Sequence, residues 1–181
     1  MGPAILDGGP YVIADRTLQF DGATAWSQSG LDASPSPGGG GILNAGTLGA
    51  LSDRGIVPGV DGGAIQNSGI FEKTGATGTT SIGVPFTNTG TVRAASGTLS
   101  FEDFSQTAGS LVLMGGTLAF PNGLSMQDGS LEGTGTVAGN VILSGGALSP
   151  GASSGQIDIG GNFTLHPQRS SRCNLAALLG E

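Results

Sequence analysis

Gly90-Thr91-Val92, Gly97-Thr98-Leu99, Gly109-Ser110-Leu111, Gly116-Thr117-Leu118, Gly129-Ser130-Leu131, Gly135-Thr136-Val137 and Gly146-Ala147-Leu148 repeat one unit: a glycine, a small residue and a β-favouring apolar one. In chain order the gaps between them are uneven, but alternate members fall into two series. One runs through Gly90, Gly109, Gly129 and Gly146 in steps of 19, 20 and 17 residues, the other through Gly97, Gly116 and Gly135 in two steps of 19. Each repeat therefore carries two glycine-marked turns, each followed by a short strand. Self-similarity at such a period marks a coil built by stacking one small unit on the next.

Toward the N-terminus a longer motif takes over: Asn44-Ala45-Gly46-Thr47-Leu48, Asn67-Ser68-Gly69-Ile70-Phe71 and Asn88-Thr89-Gly90-Thr91-Val92, spaced by 23 and 21 residues. Its last member is the first of the glycine series, so the two halves share one register. Alternation such as Leu111/Leu113, Leu118/Phe120 and Ile157/Ile159 predicts strands of three to five residues buried on one face. Repeats of 17 to 23 residues, each containing two or three such strands, are too short for a βαβ unit and carry no 3.6-residue pattern. The fold expected is all-β, a parallel β-solenoid of about 19–23 residues per coil. Eight or nine coils would make a rod about 40 Å long at the spacing of neighbouring strands.

Inward ladders are expected from Leu99, Leu118 and Val137 in one arm of the coil and from Val92, Leu111, Leu131 and Leu148 in another. Gly, and Asn at a small cost, are expected at corners because they tolerate φ > 0. Residues 18–26 alternate as an earlier turn of the same coil; Gln156-Ile157-Asp158-Ile159 and Asn162-Phe163-Thr164-Leu165 read as the last. The expected organisation is an N-terminal strand-rich segment with a Ser/Pro/Gly loop (1–38), the repeats (39–165) and a tail (166–181). The tail holds one Gly, two of the six basic residues and the only His and Cys. It reads as a frameshifted or truncated reading frame, or as a short helical cap over Asn174 to Leu179.

Composition excludes several classes. The 181 residues include 36 Gly, near three times the usual share of about 7%, yet no strict Gly-x-y triplet exists, so collagen is out. Six Lys/Arg against thirteen Asp/Glu, net −7, remove the electrostatic term that dominates nucleic-acid affinity and disfavour an anionic membrane surface. No run of 18 apolar residues predicts a spanning helix. The N-terminus lacks a basic n-region and an apolar h-region, so no signal peptide is expected there. With Cys173 alone, neither an intrachain disulfide nor a cysteine zinc site can form.

Candidate chemistry is sparse. Glu102-Asp103 and Asp128/Glu132 are the nearest carboxylates to one another. The first two are expected on opposite faces of a strand and the second two on either side of a Gly turn, so neither pair makes an acid–base site. Gly151-Ala152-Ser153-Ser154-Gly155 only approximates a nucleophile elbow and has no His to activate it. Gly38-Gly39-Gly40-Gly41 lacks the Lys-Ser/Thr of a phosphate loop and reads as an excursion after Ser34-Pro35-Ser36-Pro37. Asp61-Gly62-Gly63 stands alone, whereas calcium-binding coils repeat such a motif. Thr98, Thr117 and Thr136 form a column, but Thr-x-Thr pairs such as Thr89/Thr91 and Thr134/Thr136 are isolated cases rather than a feature of every coil, which is too few for an ice-binding face. No catalytic residue, cofactor or metal ligand is expected.

Residues 129–141, Gly129-Ser130-Leu131-Glu132-Gly133-Thr134-Gly135-Thr136-Val137-Ala138-Gly139-Asn140-Val141, are followed by Gly146-Ala147-Leu148-Ser149-Pro150-Gly151 and Gly161-Asn162-Phe163-Thr164. This pattern resembles the passenger domains of bacterial autotransporters and related filamentous adhesin-like proteins, over roughly residues 15 to 165. The resemblance implies a right-handed parallel β-helix, secreted or displayed at the cell surface and exported by a C-terminal barrel. No barrel-like ten-residue alternation follows residue 165. The function expected is a non-catalytic structural or adhesive segment. Its partners would be a host surface or glycan, and further copies of itself through open coil ends. The alternative is a carbohydrate-active β-helix enzyme or glycan-binding module whose site lies outside this chain.

Overall fold

The computed structural model describes residues 4–6, 11–12, 17–27, 31–33, 41–58, 63–151, 155–166 and 172–173. Among them every regular element is a strand, every pairing is parallel, and the strands stack as a β-solenoid of about seven turns. The sequence led us to expect eight or nine turns. Seven turns span about 34 Å at a rise of roughly 4.8 Å per coil.

Each coil has three arms. Arm a is an eight-stranded sheet: Thr17–Phe20, Gly41–Asn44, Ala64–Asn67, Phe86–Asn88, Phe104–Gln106, Leu124–Met126, Val141–Leu143 and Phe163–Leu165. Arm b follows it in every coil, through Ala23–Trp26, Thr47–Ala50, Ile70–Lys73 and Thr91–Ala94 to Ala147–Pro150. Ala4–Leu6 pairs ahead of this series and Arg172–Cys173 behind it. Arm c comes next, with Ile56–Pro58, Thr79–Ile82, Thr98–Phe101 and Ile157–Ile159. In two coils arms b and c are one continuous strand, Ser110–Ala119 and Ser130–Ala138, longer than the three to five residues expected. These strands bend at Gly115 (φ 94°) and at Gly133 (φ 99°), where glycine turns the backbone without ending the ladder. The glycine units mark the entries to arms b and c. The entry to arm a, through corners such as Glu102-Asp103 and Pro121-Asn122-Gly123, carries no such unit; of the two or three strands per repeat that the sequence allows, the structure has three.

The corner between arms a and b explains the first glycine series. Gly22, Gly46, Gly69, Gly90, Gly109, Gly129 and Gly146 stack in one column, and a Cβ on any of the last six would fall on the carbonyl oxygen of the glycine one coil earlier. That same oxygen accepts the next strand's first N–H, as from Ile70 to Gly46 (2.7 Å) and from Ser110 to Gly90 (2.8 Å). Gly46, Gly69 and Gly90 close two-residue corners outside the left-handed region, so close approach alone requires glycine there. Gly109, Gly129 and Gly146 close three-residue corners at φ of 76°, 87° and 79°, where conformation requires it too.

Both expected ladders form. Leu99 pairs with Leu118 and Leu118 with Val137, and Val92, Leu111, Leu131 and Leu148 pair in succession; all seven are buried. Five of the seven phenylalanines join Trp26 in an interior chain of rings that bridges the arms. Phe71 of arm b meets Phe86 of arm a at 5.0 Å, Phe86 meets Phe101 of arm c at 4.9 Å, and Phe104 meets Phe120 at 5.0 Å, within the range where tilted and edge-on rings attract.

The asparagines correct the sequence reading. None has a positive φ among the described residues; Asn44, Asn67 and Asn88 of the Asn-x-Gly motif each end an arm-a strand with the side chain in the core. Asn44, Asn67, Asn88 and Gln106 stack in register, Nδ2 donating to the next oxygen at 2.6, 2.7 and 2.9 Å. Spare amide hydrogens go to the corner, from Asn67 to Thr91 O (3.1 Å) and from Asn88 to Gly90 O (3.1 Å). Asn is thus the corner's buried scaffold rather than its bent residue. The column begins below Phe20, which offers no donor, and Asn44 Oδ1 is left without a partner.

Replacing Asn67 by Ala should strand the Asn44 donor and the Asn88 acceptor. We expect a loss of roughly 2–6 kcal/mol in urea unfolding, from about 1–3 kcal/mol for each of the two orphaned buried groups. An unchanged midpoint would refute the ladder's role.

Candidate functional site

The outward-facing residues of the three arms make three different surfaces. On arm c, Thr79, Thr98, Thr117 and Thr136 stack in register beside Ser81, Ser100, Ala119 and Ala138. The expected threonine column is therefore brought together and lengthened by Thr79, with its neighbours as Ser and Ala rather than a second threonine column. On arm b, Glu72 and Arg93 occupy adjacent rungs and pair at 2.9 Å, partly exposed, a contact worth well under 1 kcal/mol in such a setting.

Arm a carries a groove of about 250 Å³ running across four coils. One wall is the register column Gln19, Leu43, Gln66 and Thr87; the other is formed by the corner residues Ala45, Ser68 and Thr89. The corner hydroxyls are anchored, Ser68 Oγ donating to Asn44 O (3.3 Å) and Thr89 Oγ1 to Asn67 O (3.2 Å). Gln19 Nε2 donates to Asp21 (2.8 Å). Among the described residues no side chain lining the groove is charged. No family model matches the chain, and no curated protein or solved structure matches it either.

The carboxylates considered from sequence do not converge. Glu102 and Asp103 lie in a corner between arms c and a, both exposed, and not on opposite faces of a strand as expected. Their carbonyls support neighbouring coils, Glu102 O accepting from Asn122 Nδ2 (2.7 Å) and Asp103 O from the Phe86 N–H (2.9 Å). Asp128 is an exposed corner residue whose Oδ1 accepts the Gly129 N–H (2.7 Å), and Glu132 stands in arm b beyond the turn. Among the described residues no three His, Cys, Asp or Glu side chains gather where a metal ion would be held. Ser153, Ser154, Asp61, Gly38 to Gly40 and the segment from Asn174 to Leu179 lie outside the described residues.

One cluster escaped sequence reasoning. Lys73 sits in the core with no exposed surface. Its Nζ donates to Asp53 Oδ1 (2.8 Å), Thr80 Oγ1 (3.0 Å) and Ser52 O (3.2 Å), so all three of its protons are used. Thr80 Oγ1 in turn donates to Ser52 O (2.8 Å), and Asp53 Oδ2 accepts the Gly78 N–H (3.2 Å). The signal was present: in Ile70-Phe71-Glu72-Lys73 the lysine shares the inward parity of Phe71. A triply donating ammonium is a cation rather than a base, and the arrangement fastens the 51–55 corner to the coil.

The hydrogen bond from Lys73, with that cation's charge and the Gly78 N–H, holds the half-exposed Asp53 carboxyl below the usual carboxylate range against an opposing desolvation. A carboxyl lowered on folding stabilises above its unfolded pKa, and that contribution fades as pH falls through the folded value. Asp53→Asn should therefore be less stable than the parent at neutral pH, with the gap narrowing on acidification below the ordinary aspartate range. Lys73→Met, which leaves only a hydratable carboxylate, should lower the melting temperature less than Asp53→Ala, which strands a buried cation. Melting curves across pH test both orders.

Proposed function

We propose that the chain is a non-catalytic structural and adhesive segment of a secreted or surface-displayed bacterial protein, similar to an autotransporter passenger. The observation that carries this reading is the parallel stack itself: about seven turns that align outward residues in columns along the axis, with Thr and Ser on arm c and polar residues around Leu43 on arm a. Such a body conveys position along its length and repeats weak contacts many times, which suits projection and multivalent attachment. The resemblance of residues 129–164 to passenger repeats supports the same reading.

Host glycans or surface molecules are the partners this reading assigns. Further copies of the chain are another, because Ala4–Leu6 and Phe163–Leu165 each pair on one side only among the described residues, and unpaired strand edges invite association. Sedimentation should show assembly that grows with concentration; a strict monomer at high concentration would remove self-stacking from the proposal.

Incubation with polygalacturonate and with neutral polysaccharides should release no new reducing ends. Glycan cleavage that a Glu102→Gln/Asp103→Asn double variant abolishes would overturn the non-catalytic reading in favour of a carbohydrate-active β-helix.

A further inference from the structure

We infer that the arm-a groove is a binding site for an uncharged glycan chain lying along the solenoid axis. This rests on the adhesive reading above and gives it a ligand class and a place. The groove crosses four coils and offers hydrogen-bonding groups on both walls. Gln66, exposed at its centre, has no hydrogen-bond partner among the described residues, so its amide presents donors and an acceptor together. Ser68 and Thr89 have committed their protons to carbonyls of the previous coil, and their oxygens remain as oriented acceptors. Leu43, between Gln19 and Gln66, gives the floor an apolar step against which the C–H face of a sugar can rest.

Charge and periodicity choose among ligands. With no charged lining residue among the described ones and a net charge of −7, the described lining offers no cation to a polyanion and no carboxylate cluster to a cation. An extended peptide fits poorly, because peptide docking on sheets draws on free backbone edges and every arm-a strand from Gly41–Asn44 to Val141–Leu143 is paired on both sides. Same-side residues of a peptide strand also recur at roughly 6.6–6.8 Å, against a rung spacing of about 4.8 Å. A pyranose chain advances by about one rung per sugar and brings hydroxyls to each. Single contacts of this kind are weak, and stacking them along a rod multiplies them.

The test is affinity electrophoresis of the full chain in gels cast with xylan, mixed-linkage β-glucan or dextran, with polygalacturonate as the charged comparison. At least one neutral polymer should retard the chain more than polygalacturonate does. Gln66→Ala and Thr87→Ala should weaken that retardation roughly tenfold each, the equivalent of about 1.4 kcal/mol. Ser100→Ala, on arm c, should leave it unchanged, and matched urea midpoints establish that the outward-facing variants fold. Absence of retardation by every neutral polymer, or retardation that survives Gln66→Ala and Thr87→Ala, would overturn the site. Reducing-end release from the same mixtures separates the two readings: cleavage would sink the non-catalytic function while leaving the groove, and lack of binding would sink the groove while leaving the scaffold.

Discussion

The carbonyl oxygen of each glycine at the corner between arms a and b occupies the place where a side chain would begin on the glycine of the next coil. Everything else in the solenoid depends on that contact. It lets seven successive corners superimpose and directs the same oxygen to the N–H that opens the next strand. Because the corners coincide, residues at one position of every coil fall in one column. A corner residue with a Cβ would push two coils apart and interrupt the ladders of all three arms at that level.

In-register stacking decides what the interior can contain. Like sits on like, so apolar columns are simple to build, while a polar residue is tolerated where its neighbours above and below complement it. The run from Asn44 to Gln106 meets this condition by passing one amide hydrogen along the column and the other to the corner. Past Gln106 the column changes to Met126 and Leu143, and the two-residue Asn-x-Gly corner has by then given way to a three-residue corner with a left-handed glycine. The buried asparagines and the short corner therefore belong together, while Gln106 ends the amide run at the first three-residue corner. Lys73 breaks the apolar column of arm b and is balanced sideways, through Asp53, Ser52 and Thr80, rather than along the stack.

Legibility in the sequence followed the range of the interactions. The glycine series, the paired ladders through Leu118 and Leu131, and the parallel all-β class were readable because each is a local motif repeated at a near-constant interval. Two or three arms per coil stayed open in the sequence because the entry corners to arm a share no common residue type. The asparagines were assigned a conformational role because Asn-x-Gly is familiar as a turn; their actual partners are 18 to 23 residues away. Glu102 and Asp103 were misplaced in a strand by the same lack of a corner signal.

The sequence by itself determined the period, the parallel stacking and the columns of Leu, Val and Thr, since a repeated pattern of glycine and β-branched or apolar residues admits one way of burying its inward face coil upon coil. Only the tertiary structure decided what the columns do. The amide ladder, the fastening of Lys73 and the groove beside Gln66 all join residues from different coils, and their chemistry comes from lateral distance, which the number of residues per turn sets and no single repeat contains.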